Sequence, residues 1–498
     1  MDEARNLPKY RMYIDGAAEE ARSGEWFESH NPFTGRPWAL IARGNKDDAD
    51  RAVEAAHRAF ATGPWPALTA TQRGALLRKL ADLIARDAER LAEIEVRDNG
   101  KLIAEMATQL RYLPQWYYYF GGLADKIEGS VIPIDRPSMF NFTRHEPLGV
   151  VVAISAWNSP LLLASWKMAP ALAAGCTVVV KPSEYTSVSM IEFCKLIEEA
   201  GFPKGVVNVV TGFGAEVGEP LVQHPKVAKI AFTGSEAGGQ RVYETAARGL
   251  KRVTLELGGK SPNIVLDDAK LDDAVKGAIS GIFAATGQTC IAGSRLLLQD
   301  AIYDAFVDKL VAFARTAKMG DPLNPATQVG PVTTRPQYDK VLSYIDIAKG
   351  EGATCVLGGG PANRPECGDG WFVEPTIFTN VSNDMRIARE EVFGPVLSVI
   401  RFKDDEEAVR IANDSPYGLA AGVWTQSMKR AFKISEKLQA GSVWVNTYRA
   451  VSYMSPFGGY KRSGLGRENG QQAIFEFLQT KSVWISTADE VPNPFIMR

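Results

Sequence analysis

Val150-Val-Val-Ala-Ile154, Thr177-Val-Val-Val-Lys181, Val206-Val-Asn-Val-Val210, Lys229-Ile-Ala-Phe232 and Arg252-Val-Thr-Leu-Glu256 are short apolar runs that follow one another through the middle of the chain. Helical stretches separate them, the clearest being Pro160 to Ala174 and residues near 186 to 200. Runs that stay apolar instead of alternating with polar residues predict strands buried on both faces. With helices between them they describe a parallel sheet covered on both sides, the α/β, Rossmann-like class that binds nucleotides. The theme returns between about 259 and 460, in Arg295-Leu-Leu-Leu-Gln299, Pro395-Val-Leu-Ser-Val-Ile400 and Ser442-Val-Trp-Val-Asn446. A second α/β unit is therefore expected.

Outside these units the pattern changes. Residues 47 to 98 read as helical, with Leu76, Leu80, Leu83, Ile84, Leu91 and Ile94 at helical spacing and charged residues between them. A second helical stretch, roughly 104 to 127, is unusually aromatic, carrying Tyr112, Trp116, Tyr117, Tyr118, Tyr119 and Phe120. Ile127 to Phe142 alternates and is rich in turn residues, like a protruding hairpin, and Ser482-Val-Trp-Ile-Ser486 reads as a lone strand. The two are expected either to pair between subunits or to form a simple edge hairpin. The domain boundaries expected are 1–126 with 148–258 for cofactor binding, 259–460 for catalysis, and 127–147 with 475–490 for a small β oligomerisation extension.

Composition narrows the function. The chain has 498 residues, a formal net charge of −2 and 23% charged residues, and its basic residues form no long run. A nucleic-acid partner would want a basic stripe. The N-terminal residues have no apolar core of a signal peptide, and no uninterrupted apolar stretch approaches membrane length, so a cytoplasmic protein without a membrane partner is expected. Five cysteines in a chain of this length make no disulfide framework, and the four histidines follow no ligand spacing, so no metal is expected.

Two tetrapeptide-scale signals carry chemistry. Glu256-Leu-Gly-Gly-Lys260 precedes Gly287-Gln-Thr-Cys290. A thiolate attacks a carbonyl carbon, and a carboxylate can later activate the water that releases the product. For a phosphate cradle, Gly212-Phe-Gly214-Ala-Glu-Val-Gly218 spaces its last glycine one residue too far for the dinucleotide fingerprint and reads by itself as a loop leading into a helix. Phe232-Thr-Gly234-Ser235-Glu236-Ala-Gly238-Gly239 is the better candidate, because glycines at a strand-to-helix turn let backbone amides approach a pyrophosphate.

Taken in order, these segments resemble the aldehyde dehydrogenase superfamily, which oxidises aldehydes to acids with NAD(P)+. Ile154-Ser-Ala-Trp157-Asn158-Ser-Pro160 is similar to its PWNFP segment, Glu391-Val-Phe393-Gly-Pro395 to its EEVFGPV segment, and Pro456-Phe457-Gly-Gly-Tyr-Lys-Arg-Ser-Gly-Leu-Gly-Arg-Glu468 to its PFGGxKxSGxGRE segment. The resemblance implies Cys290 as nucleophile, Glu256 as the base for hydrolysis, and Asn158 as oxyanion donor. It also implies that Lys167 and Glu468 form a supporting proton network. Members of the family that acylate CoA lack the Glu at 256, so release of free acid is expected. The alternatives are an acyl-transferring or a non-catalytic member, as in lens crystallins of this fold.

For the cofactor, the resemblance assigns Lys181 and Glu184 to the adenine ribose, Glu391 to the nicotinamide ribose, Phe393 to the nicotinamide and Trp157 to the cofactor cleft. Ser183, Gly214, Phe232, Gly234, Ser235, Gly239 and Leu257 are the further cofactor-binding candidates. A carboxylate at 184 favours NAD, with NADP as the alternative. The substrate tunnel would draw on Tyr112, Trp116, Leu162, Leu163 and Trp166, on Thr289 and Ile291 beside the cysteine, and on Arg449, Val451, Tyr453 and Phe457. Two departures from the family pattern matter. Ser159 replaces a bulky aromatic after Asn158, and Arg449 would favour a semialdehyde over a cationic aldehyde, while the many aromatic residues suit an aromatic aldehyde. Cys290 is expected to have a lowered pKa, since the positive nicotinamide and local amides favour the thiolate, and the assembly to be a homodimer or homotetramer.

Overall fold

The computed structural model describes residues 7–491 and 493–496. The first series of apolar runs forms the parallel core of an eight-stranded sheet. Across that core the order is Arg252–Glu256, Val227–Thr233, Val150–Ile154, Thr177–Lys181 and Val207–Val209. Every residue of Val150–Ile154 and Thr177–Lys181 is buried, as expected of strands covered on both faces. From Val150–Ile154 the chain builds outward to one side, then returns to build on the other. The strand order therefore reverses beside Val150–Ile154, and in open parallel sheets ligands bind beyond the carboxyl ends at such a point. Short antiparallel strands finish the edges: Met12–Ile14 with Ala17–Glu19 on one, Gly464–Leu465 on the other.

The second sheet has seven strands, in the order Thr354–Leu357, Thr376–Thr379, Val396–Phe402, Arg295–Gln299, Pro262–Val265, Ala420–Trp424 and Ser442–Val445. Only the first pair is antiparallel. Its strands begin where the first sheet's strands end. Residues just before Pro262, Arg295 and Val396 therefore face residues just after Ile154, Lys181, Thr233 and Glu256.

The helical expectations need dividing. Residues 47 to 98 are two helices, Lys46–Ala61 and Ala70–Asn99, interrupted at Gly63-Pro64. Each starts with a capping box, Asn45 with Asp48 and Thr69 with Gln72, which satisfies amides that a helix start leaves unpaired. The aromatic stretch likewise divides into Ile103–Tyr112 and Pro114–Leu123, because Pro114 cannot donate the amide that would continue the first helix.

The expected lone strand is not alone. Leu478–Ser486 pairs antiparallel with Met139–Pro147 over nine residues, from Leu478 opposite Pro147 to Ser486 opposite Met139, and Val131–Ile132 completes a three-stranded sheet. The strand also starts earlier than its apolar centre, since Gln479 to Lys481 are polar and exposed yet held by the ladder. Trp484, Ile485, Phe140 and Val131 leave this sheet with exposed apolar side chains. No helix among the described residues is long and apolar enough to cross a membrane.

Candidate active site

A cavity of about 450 Å³ lies across the carboxyl ends of the first sheet and the amino ends of the second. Cys290, Glu256 and Asn158 line it together. Glu256 is the last residue of its strand and opposes Thr233 in register, so both side chains arrive at the same edge. Asn158 follows Val150–Ile154 at the turn into helix Pro160–Ala174. Its Nδ2 donates to the backbone carbonyl of Gln288 at 3.0 Å, which ties the amide to the cysteine loop and leaves its second N–H to point elsewhere.

The chain reaches Cys290 through strain. Ala285, Thr286 and Gly287 have φ of 52°, 55° and 70°, left-handed conformations that cost a non-glycine residue, above all a β-branched one, about 1–3 kcal/mol each. The surroundings hold them. Ala285 N–H donates to Glu105 Oε1 at 2.8 Å, Thr286 Oγ1 to Gly330 O at 3.1 Å, and Gln288 Oε1 accepts from Thr333 N–H at 2.9 Å. Gly287 has a further reason to be glycine, because a Cβ there would meet Gly394 O at 2.0 Å. Gly287→Ala is expected to lose about 2 kcal/mol or more of stability and most of the activity, read from thermal melting and initial rates.

Glu256 is buried, and neither carboxylate oxygen has a hydrogen-bond partner. Burial, and then the Glu468 charge, push its pKa up to about 8. Burial and then Glu256 push the Cys290 thiol well above its ordinary value. The lowered value expected from the sequence rests on the positive nicotinamide and concerns the cofactor-bound site; the protein groups by themselves act in the opposite direction. Among the protein groups around the sulfur, burial and the carboxylates of Glu256 and Glu391 raise the thiol, while the Ile291 amide and the Lys101 ammonium act the other way.

Lys167 and Glu468 stand behind this wall and do not line the cavity. Lys167, fully buried in helix Pro160–Ala174, donates to Glu468 Oε1 at 2.7 Å and to Thr233 Oγ1 at 2.6 Å. Strand Gly464–Leu465, paired to Leu255 and Glu256, is what brings Glu468 here from the far end of the sequence.

On the other side, Trp157, Lys181, Ser183, Glu184, Gly214, Phe232, Gly234, Ser235, Leu257, Glu391 and Phe393 all line the cavity. Gly239 does not, but a Cβ there would meet Leu257 Cδ2 at 2.4 Å, so it sets how closely helix Glu236–Ala247 approaches Leu257. Ser235 caps that helix through Gly238 N–H at 3.2 Å. Lys181 Nζ pairs with Glu184 Oε2 at 3.0 Å. Glu391 Oε1 accepts from Gly259 N–H at 2.9 Å, and burial raises its pKa. Trp157 and Phe393 meet edge to face, 5.1 Å between centroids. The Gly214–Gly218 turn, with its irregular glycine spacing, lines the cavity as well, because it winds into Glu219–Gln223 alongside the Ser235 turn.

Gln337 and Lys340 escaped the sequence reading. Both sit on helix Arg335–Gly350 and line the cavity, and Gln337 Nε2 donates to Val392 O at 2.8 Å and Phe393 O at 2.9 Å, pinning the Phe393 loop. No neighbouring motif marks them. One sign was available, two polar residues three apart on the first turns of a helix whose buried face includes Val341 and Ile345.

The expected substrate residues lie apart from this cavity, Leu163 alone lining it. Tyr112, Trp116, Tyr453, Trp166 and Phe457 form one aromatic cluster, with Trp116 stacked on Trp166 at 6.1 Å and Trp166 edge-on to Phe457 at 5.0 Å. Leu162 and Val451 pack half-buried against the core, and Ile291 is buried with its carbonyl accepting from Tyr448 OH at 3.0 Å. The Thr289 hydroxyl and Trp166 Nε1 are buried without partners. Arg449 is half-buried at φ 66° and leans on Ser280 O at 3.4 Å.

Comparison with known proteins agrees with this geometry. The model of the aldehyde dehydrogenase family matches residues 19–483. The chain is 46% identical over 495 residues to (Z)-2-((N-methylformamido)methylene)-5-hydroxybutyrolactone dehydrogenase of Acinetobacter baylyi, covering 99% of this chain and 100% of that one. Among solved structures, betaine aldehyde dehydrogenase from Staphylococcus aureus in complex with NAD+ superposes with a TM-score of 0.97 at 41% identity, over 99% of this chain and 98% of that one. The NAD+ complex of aldehyde dehydrogenase from Bacillus cereus gives 0.95 at 44% identity, over 98% and 99%. With its cysteine, carboxylate and amide converging on one cavity, the chain belongs to the aldehyde dehydrogenase family of oxidoreductases.

Proposed function

We propose that this protein oxidises an aldehyde to the free carboxylic acid with NAD+, through a thioester on Cys290. The observation that carries the reading is the convergence of Cys290, Glu256 and Asn158 at one end of a cavity whose opposite walls suit a dinucleotide. The fit rests on donor chemistry. Gly234 and Ser235 offer backbone amides at a helix start for a diphosphate, the Lys181–Glu184 pair offers a donor and an acceptor for ribose hydroxyls, and the unpartnered Ser155 hydroxyl opens a further polar contact in the same wall. When bound, the nicotinamide supplies a positive charge and accepts hydride.

The chain's own groups do the rest. Cys290, once it has given up its proton, adds as the thiolate to the aldehyde carbon, and the oxygen that gains charge lies within the donor field of Asn158. After hydride loss the acyl group remains on sulfur. Glu256 takes a proton from water, the resulting hydroxide displaces the thiolate, and acid leaves. Lys167 and Glu468 give that proton a buried route away from Glu256 through a pair already in hydrogen-bond contact. Glu256 itself supports hydrolysis over transfer to another acceptor.

Residues 1–126 with 148–258 serve as the cofactor domain, 259–460 as the catalytic domain, and 127–147 with 475–490 as an extension through which copies associate as a homodimer or homotetramer. The exposed apolar side chains of the three-stranded sheet support that association. A cytoplasmic location is part of the same proposal. The named substrate of the Acinetobacter relative contains a 5-hydroxybutyrolactone, the ring-closed form of an aldehyde bearing a carboxylate. An acid-bearing aldehyde is accordingly the favoured substrate class here, with Arg449 as one cation available to it.

The test is product analysis. Purified protein with NAD+ and an aldehyde should yield NADH and free acid in equal amounts without CoA or phosphate; absence of acid would end this reading. A second test concerns the coenzyme. Glu184→Ser is expected to raise kcat/KM for NADP+ by ~10-fold or more, since a 2′-phosphate no longer faces a carboxylate.

A further inference from the structure

Ser159 stands at the N-terminus of helix Pro160–Ala174, where a serine hydroxyl ordinarily accepts from a first-turn amide. Here it caps nothing. Its Oγ accepts from Lys101 Nζ at 2.8 Å and donates to Gln109 Oε1 at 3.3 Å. The Leu161 amide that it leaves is taken by Glu95 Oε1 at 2.8 Å. The hydroxyl has thus been turned from the helix toward a buried lysine.

Lys101 is 4% exposed, and Ser159 is its only hydrogen-bonded side-chain partner among the described residues. Burial brings its ammonium down to about 8, with the Glu105 charge acting against burial and Arg449 acting with it, so it remains largely cationic at neutral pH. Gln109 Nε2 is buried without a partner, as is the Thr289 hydroxyl beside Cys290. Lys101 has only donors to spare, and the unpartnered end of Gln109 is its amide N–H group. Desolvated donors left in this way are satisfied by an acceptor brought in from outside, and an ammonium by a negative one.

We propose that Lys101, Ser159 and Gln109 form a specificity corner adjoining Asn158 and Cys290 that receives the carboxylate of a short acid-bearing aldehyde. The inference rests on the aldehyde-oxidising reading above and assigns its substrate recognition. Ser159 performs two tasks in it: its side chain is smaller than the aromatic of the family pattern, and its Oγ holds the Lys101 ammonium next to Asn158. Arg449 adds a second positive charge to the same region.

The experiment compares kcat/KM for 4-oxobutanoate and for pentanal, an uncharged chain of similar length, with NAD+. Wild type, Lys101→Met and Gln109→Leu are measured together with their melting temperatures. The expected result is a wild-type preference for 4-oxobutanoate. The acid-to-neutral ratio should fall ~10-fold to ~100-fold in Lys101→Met and less in Gln109→Leu, as for loss of a charged and a neutral hydrogen bond. Should Lys101→Met fail to fold, the half-buried Gln109→Leu decides. A ratio unchanged in the folded variants, or a wild type that prefers pentanal, overturns the assignment while leaving aldehyde oxidation standing. No NADH from either aldehyde with wild type overturns both.

Discussion

Cys290→Ala is expected to abolish turnover, with kcat reduced by ~10⁴-fold or more, while binding of NAD+ measured by fluorescence quenching stays close to wild type. The size follows from the chemistry. Without sulfur there is no covalent intermediate, and the remaining Asn158 amide only stabilises an oxyanion that no nucleophile creates. The retained binding follows from the layout, since the Lys181–Glu184 pair, the Ser235 turn and Glu391 stand on other elements than the cysteine loop. Cys290→Ser should be nearly as inactive, because a hydroxyl ionises far less readily than a thiol in a site whose own carboxylates already oppose an anion at this position. Residual activity within tenfold of wild type would remove Cys290 from the mechanism.

Glu256→Gln is expected to separate the two halves of the reaction. Acylation remains, so mixing enzyme, NAD+ and aldehyde should give a burst approaching one NADH per site, then a steady rate reduced by ~10²-fold to ~10⁴-fold, the usual contribution of a positioned base. Mass spectrometry of the quenched protein should find the acyl group on Cys290. A steady rate equal to wild type would assign the water-activating role elsewhere.

The pH dependence carries a sign. A base works when deprotonated, and the pKa of Glu256 lies near 8 instead of 4.5, so thioester hydrolysis should accelerate through neutral pH and level off above about 8. Glu256→Gln should lose that rise. Stability runs the opposite way. The folded state keeps the Glu256 proton over a range in which the unfolded chain has lost it, so the contribution of this group falls as pH climbs from 4.5 through about 8. Glu256→Gln should therefore melt higher than wild type at pH 9 and close to it at pH 5, a comparison that differential scanning fluorimetry makes directly.

Local sequence was sufficient for everything that local physics dictates. The runs at 150 and 177 had to be buried strands because nothing polar interrupts their apolar centres, and Pro160 to Ala174 ends at Gly175, whose φ of 96° admits the left-handed turn that closes a helix. Cys290, Glu256 and Asn158 were legible for a similar reason, since each is embedded in a short segment whose neighbours serve the same site. Chain breaks inside long helical patterns were harder to read, because periodicity persists across Gly63-Pro64 and Leu113-Pro114 while the backbone cannot continue.

Only tertiary structure could decide matters set by distant partners. Leu478–Ser486 reads as a lone strand until Met139–Pro147, more than three hundred residues earlier, takes it as the next rung of a ladder. Gln337 and Lys340 carry no signature, and reach the cavity because one helix happens to lie across the Phe393 loop. What the protein itself does to the Cys290 thiol depends on burial and on which charges the fold sets around the sulfur, the nearest being the carboxylates of Glu256 and Glu391. Ser159 showed from sequence only as a missing aromatic ring. That its hydroxyl turns from its own helix to Lys101 follows from where helix Ala70–Asn99 delivers Glu95 and Lys101, which no spacing along the chain encodes.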